Sequence, residues 1–206
     1  MQLRQSHRGF SLIELMIALV VGLIVSGAAV ALVAAMSKSN SDTVRATRLT
    51  QELRSTVEVI ARDLRRARSD FDPIANVSTD TATMLTACNA ITISGTAPNQ
   101  CITYGYDCSD ATHGTFNAVG LVGTKVYLKQ ATGAAPACPT AGDVKISSDA
   151  VNITSLTFGQ VGTTDAYTIG VAGQLSYQPS VINSVTLTNP TRTISQEVRI
   201  RSSQVQ

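Results

Sequence analysis

The chain is poor in the residues that catalytic and metal sites use most. It has two histidines, His7 and His113, and no tryptophan; aromatic residues make up only 4% of it, whereas hydrophobic residues make up 44%. It contains no Gly-x-x-x-x-Gly-Lys run to hold a nucleotide phosphate. His113 lies in a turn-like stretch, which indicates an exposed loop residue rather than a general base. Asp107 and Asp110 lack the spacing of an EF-hand calcium loop. We therefore expect no enzyme activity and no cofactor.

The cysteine pattern favours disulfides over a metal site. Cys88, Cys101, Cys108 and Cys138 form an even set without a Cys-x-x-Cys spacing. With so few histidines, such a set predicts no zinc site and indicates a disulfide framework formed outside the cytoplasm.

The charges do not predict a nucleic-acid partner. The formal net charge is +2, and removing residues 1–9, which include Arg4 and Arg8, leaves a neutral chain. Four arginines lie between Arg62 and Arg68, but no aromatic residue lies among them to stack on bases. A solvated helix face explains this run better.

A long apolar segment, from Phe10 to Met36, holds one charged side chain, Glu14. At about 1.5 Å per residue it can cross a hydrocarbon core of about 30 Å. No small-residue cleavage site follows it near Met36, so it is not a discarded secretory signal. Arg4 and Arg8 precede it, which predicts a cytoplasmic leader with the rest of the chain across the membrane.

The start of this segment, Arg8-Gly9-Phe10-Ser11-Leu12-Ile13-Glu14-Leu15, resembles the prepilin motif of type IV pilins and type II secretion pseudopilins. The resemblance implies cleavage by prepilin peptidase after Gly9 and N-methylation of the new terminal Phe10. It also implies that Glu14 neutralises the amino group of a neighbouring subunit during assembly. A carboxylate inside a membrane costs about 2.5–3.5 kcal/mol on insertion scales, so Glu14 needs such a purpose.

Beyond Met36 the helical period continues with one apolar stripe. The stripe comprises Ala46, Leu49, Leu53, Val57, Ile60, Leu64 and Ala67. We expect one helix from about Phe10 to Arg68, ended by Asp70, Asp72 and Pro73. Its second half should pack against a sheet.

The remainder of the chain reads as a β-rich head. The expected strands are Ala90–Ser94, Ile102–Tyr106, Lys125–Gln130, Val144–Ser147, Val151–Phe158, Tyr167–Val171, Val181–Leu187 and Ile194–Arg201. The fold class is therefore α+β, with a long N-terminal helix packed against a mostly antiparallel sheet. We expect a leader at 1–9, a transmembrane and assembly half of the helix at 10–36, an amphipathic half at 37–69 and a periplasmic head at 70–206.

Four cysteines allow three disulfide connectivities. If Ala90–Ser94 and Ile102–Tyr106 form a hairpin, Cys88 comes to face Cys108 at a distance that a disulfide tolerates. This assumption pairs Cys88 with Cys108 and leaves Cys101 for Cys138.

Two further stretches resemble PilW-like minor pilins and J-type pseudopilins: the helix end Asp63-Leu64-Arg65-Arg66-Ala67-Arg68 and the last strand, Ile194–Arg201. Major pilins usually bracket a C-terminal loop with cysteines, whereas the last cysteine here is Cys138. The resemblance implies a minor pilin that primes assembly and sits at the filament tip. The alternatives are a J-type pseudopilin of type II secretion and a tip adhesin or DNA-uptake subunit.

A minor pilin would have a defined set of partners and a defined location. The resemblance implies contacts with other minor and major pilins, prepilin peptidase, the inner-membrane assembly platform and membrane lipid. It also implies a single-pass inner-membrane protein with a periplasmic head, which later enters the filament.

Overall fold

The computed structural model describes residues 9, 11–69, 90–107, 114–176 and 189–200. These residues form one helix and eight strands. The chain divides into two compact units, Met1–Arg45 and Ala46–Gln206. The four-part division expected from the sequence is finer and stays a prediction.

The helix, α1, runs from Leu12 to Leu64. Within the first unit its side chains are almost all exposed. Within the second unit the exposure becomes periodic, because one side of the helix packs against the sheet. The buried helical residues are Leu49, Leu53, Thr56, Val57, Ile60, Ala61 and Leu64, and Ala67 beyond the helix is buried as well. This is the expected stripe, except that Ala46 is only half-buried.

The helix ends at Leu64 rather than near Arg68, because the backbone tightens and then turns into the sheet. The N–H groups of Arg66 and Ala67 donate to carbonyls three residues earlier, as in a 3₁₀ turn. Arg68 then adopts a φ of 63°, and its N–H donates to Gly105 O at 2.8 Å. A contact with a distant strand therefore ends the helix before Pro73.

The strands are β1 Thr92–Thr96, β2 Asn99–Tyr106, β3 Thr115–Val122, β4 Lys125–Thr132, β5 Val144–Lys145, β6 Val151–Gln160, β7 Ala166–Leu175 and β8 Thr191–Arg199. All but β3 overlap an expected strand. Strand β3 is not among the expected strands, because Asn117, Ala118 and Gly120 give it a low strand propensity. The expected strand Val181–Leu187 lies outside the described residues.

The strands form one sheet in the order β5-β4-β3-β2-β6-β7-β8, with β1 paired to β2. Every pairing is antiparallel except that of β2 with β6, which is parallel through Asn99↔Leu156. The α+β prediction of a helix against a mostly antiparallel sheet is confirmed.

The β1–β2 hairpin turns through Ala97-Pro98 and opposes Thr92 to Thr103 and Ile93 to Ile102. This register is within one residue of the one expected from the sequence. Cys88 and Cys108, whose pairing depended on it, both lie outside the described residues. Their disulfide stays a prediction.

The core lies between α1 and one face of the sheet. At Gly173 on β7, an added Cβ would lie 3.1 Å from Leu53 Cδ2 of the helix and only 2.8 Å from Asn152 O. A glycine therefore allows the helix to pack this close to the strand. On β8, Val198 and Ile200 are buried while Ser195, Glu197 and Arg199 are exposed, as the alternation predicted.

Candidate assembly site

The first candidate site is the start of α1, where Glu14 interacts with its own chain. The Ser11 N–H donates to Glu14 Oε2 at 3.2 Å, and the Leu15 N–H donates to Ser11 O at 3.2 Å. A glutamate three residues after a serine N-cap is one half of a capping box. This capping role is not among the roles expected from the sequence, although the Ser-x-x-Glu spacing indicates it. Gly9 is exposed and lies outside the helix, and Phe10 lies outside the described residues.

The helix that follows this cap is long and apolar enough to cross a membrane. Its large hydrophobic side chains are exposed: Leu12 is 79% exposed and Leu23 is 66% exposed. Apolar surface on this scale requires lipid or other apolar helices around it. Glu14 is the one charged side chain from Leu12 to Met36.

A second cluster holds the end of the helix to the sheet through Asp63. Its carboxylate accepts hydrogen bonds from the Tyr104 hydroxyl and from Asn117 Nδ2 at 2.7 Å. Tyr104 and Asn117 are opposed residues on β2 and β3, and Gln130 on β4 is opposed to Asn117. Burial, with Asp63 as the next largest cause, raises the pKa of Tyr104 well above its usual value. Tyr104 therefore stays a neutral donor.

Tyr106 lies beside this cluster and is covered by Arg66. The guanidinium of Arg66 stacks 4.5 Å from the Tyr106 ring centroid and lies 3.8 Å from the Asp107 carboxylate. The Tyr106 hydroxyl accepts a hydrogen bond from Gln130 Nε2 at 3.3 Å. Asn117 Oδ1 is buried without a hydrogen-bond partner in the described part of the chain.

Two further contacts, made by Arg68 and Ser69, hold the segment that follows the helix. The Arg68 guanidinium pairs with Asp165, before β7, and the Arg68 side chain is only 15% exposed. The Asp107 N–H donates to Ser69 O at 2.8 Å. Asp63, Arg66 and Arg68 thus each contact the part of the chain that carries the sheet. The run from Asp63 to Arg68 mainly anchors the end of the helix to the sheet.

On the opposite face of the sheet, a disulfide joins Cys101 on β2 to Cys138, with a Cα–Cα distance of 5.9 Å. This is the pairing expected from the sequence. Pro139 follows and packs on Gly120, where an added Cβ would lie 3.1 Å from Pro139 Cδ. The disulfide therefore holds the segment after β4 against the back of the sheet.

Within the part of the chain that the structure describes, these groups do not come together in one arrangement. Across the described residues, no group of three or more His, Cys, Asp or Glu side chains could hold a metal ion. Asp107 is engaged by Ser69 and Arg66, whereas Asp110 and His113 lie outside the described residues.

Two family models match the chain. The family described as "Prepilin peptidase-dependent protein B" matches residues 42–200, and the "Prokaryotic N-terminal methylation motif" matches residues 4–30. No curated protein matches the sequence.

Among solved structures, the fold is similar to "Type IV-like pilin TTHA1219 from Thermus thermophilus", with a TM-score of 0.50 and 11% sequence identity. The match covers 75% of this chain and 98% of that one. At this identity the likeness concerns the fold alone. Because the first family match spans most of the sequence and the methylation motif covers its start, the chain belongs to the prepilin peptidase-dependent protein B family, a type IV pilin-like family of membrane-anchored subunits with a soluble head.

Proposed function

We propose that the chain is a minor subunit of a type IV pilus that primes filament assembly and occupies the filament tip. The observation that carries this proposal is the single carboxylate, Glu14, in an otherwise apolar and exposed helical segment. A charge retained there is costly in lipid, so it needs a partner that arrives at assembly.

Two covalent steps, cleavage and N-methylation, prepare the subunit, and its assembly is then noncovalent. Prepilin peptidase cuts between Gly9 and Phe10, and methylation of Phe10 follows. The apolar helix stores the subunit in inner-membrane lipid until the assembly platform brings neighbouring pilins to it. Glu14 then exchanges its contact with the Ser11 N–H for the positively charged amino group of a neighbour. Major and minor pilins are its partners.

The test combines processing with incorporation. Mass spectrometry of the mature chain should find an N-methylated Phe10, and cleavage near Met36 would overturn the proposal. Glu14→Ala should insert into the membrane normally but be lost from sheared pili. Asp42→Ala, which removes another exposed carboxylate from the same helix, is the matched control. Equal recovery of both variants in sheared pili would refute the role of Glu14.

A J-type pseudopilin of a type II secretion system is the second candidate. It is favoured by the helix end Asp63–Arg68, which resembles that class as much as it resembles PilW-like pilins. Deletion of the gene should abolish piliation and spare secretion if the first proposal is right. The reverse phenotype would assign the chain to secretion.

A further inference from the structure

Two recesses lie side by side along the helix within the sheet-bearing unit. One, of about 330 Å³, is lined by helical residues and by β2, β3, β4 and the residue after β5. The other, of about 380 Å³, is lined by the helix and by Gln196 of β8. Val59 and Arg62 line both recesses. We call the two together the Arg62 surface.

The floor of the first recess is apolar. Val119, Leu128 and Ile146 line it from the sheet side; Leu128 and Ile146 are only half-buried. Val59 on the helix is also half-buried. The volume suits one large apolar side chain, and covering these residues would remove apolar area from water.

The rim of the Arg62 surface is basic. Arg62, Arg65 and Arg66 are exposed, and neither Arg62 nor Arg65 forms a salt bridge with any described residue. Two acids line the recesses. The hydrogen bonds from Tyr104 and Asn117 leave the charge of the Asp63 carboxylate in place, and Arg66 lies 3.8 Å from the Asp107 carboxylate. The exposed positive charge of the surface is therefore that of Arg62 and Arg65, with Glu58 as the acid that lines the second recess beside them. Carboxylates on a partner would match this charge.

The recess is also preformed. The bonds of Asp63 to β2 and β3 and the pairing of Arg68 with Asp165 fix this end of the helix against the sheet. A site whose walls are held in place loses less conformational entropy on binding than a mobile one. These contacts therefore favour docking of a rigid partner.

We propose that the Arg62 surface docks a neighbouring pilin-class subunit, which inserts one apolar side chain flanked by carboxylates. This rests on the proposed assembly function and names a contact for it. Single-stranded nucleic acid is the poorer fit, because base stacking needs open aromatic faces. Tyr104 is fully buried, and Arg66 covers Tyr106.

The test is photo-crosslinking of the full-length chain in piliated cells. A benzophenone amino acid replaces Val59 in one strain and Arg54 in another, since Arg54 is exposed on the same helix but lines neither recess. We expect an adduct at position 59, identified by mass spectrometry as a pilin-class subunit, and none at position 54. Equal adducts at both positions, or a nucleic-acid adduct at 59, would overturn the proposal.

Charge reversal provides the second arm. Arg62→Glu should lower the position-59 adduct about tenfold or more, because like charges would then face each other across the contact. Arg54→Glu should leave it unchanged. If the chain is still recovered in sheared pili but forms no adduct at position 59, the proposed docking surface is wrong and the proposed assembly function is unaffected. If Glu14→Ala has no effect on recovery, the proposed assembly function fails instead.

Discussion

Removing the carboxylate of Asp63 should destabilise the sheet-bearing unit, because two buried donors depend on it. Tyr104 is 0% exposed and Asn117 is 1% exposed, and each donates a hydrogen bond to Asp63. Leaving a buried donor unsatisfied costs about 1–3 kcal/mol. Asp63 itself is half-buried, so water can replace part of what is lost. We expect Asp63→Ala to lower the free energy of unfolding by about 2–4 kcal/mol.

The assay is urea unfolding of the full-length chain in detergent micelles. Because the chain has no tryptophan and five tyrosines, near-ultraviolet circular dichroism reports on tyrosine packing. Asp149→Ala is the control: Asp149 makes an exposed ion pair with Lys145, and its loss should leave the free energy of unfolding nearly unchanged.

A double-mutant cycle separates the hydrogen bond from general damage to the site. In Tyr104→Phe one donor is already absent, so Asp63→Ala should cost less in that background than in the native chain. A loss of under about 0.5 kcal/mol for Asp63→Ala alone would refute the argument, since it would mean that both donors find water. Strict additivity of the two changes would refute the Tyr104–Asp63 contact.

Three further outcomes are expected. Because the pKa of Tyr104 is raised in the folded chain, this residue stabilises the fold fully at pH values below 10.0, the usual tyrosine pKa, and the stabilisation is lost as the pH rises above that value. The free energy of unfolding should therefore fall less steeply with alkaline pH in Tyr104→Phe than in the native chain. Gly173→Ala should lower the melting temperature because its Cβ meets Asn152 O, whereas Gly142→Ala, with no neighbour nearer than 3.9 Å, should not; equal melting temperatures would contradict the close approach. Cys101→Ser/Cys138→Ser opens a loop with a sequence separation of 37 and should cost about 3–4 kcal/mol in urea unfolding; no change in midpoint would mean that the disulfide does not constrain the unfolded chain.

The sequence predicted those features that depend on spacing along the chain. The apolar run, the motif from Arg8 to Leu15 and the stripe from Leu49 to Ala67 each depend on residues a few positions apart. Because helices and strands repeat with fixed periods, residues at such spacings lie on the same face of their element. The alternation on β8 was found in the same way.

Features that depend on contacts between distant segments could not be predicted from the sequence. Strand β3 has weak propensity and is a strand because β2 and β4 pair with it on both sides. The Asp63 cluster joins residues 41 and 54 positions apart, and nothing in the helix marks Asp63 as different from its exposed neighbour Arg62.

The sequence by itself thus determined the apolar helix that is long enough to cross a membrane, the N-terminal methylation motif, the class of the fold and the helical residues that face the core. Only the tertiary structure decided where the helix ends, which donors the Asp63 carboxylate accepts, and that an apolar recess opens beneath Arg62. The physical reason is that strand register and helix placement are set by packing across the whole sheet, and no short segment contains that information.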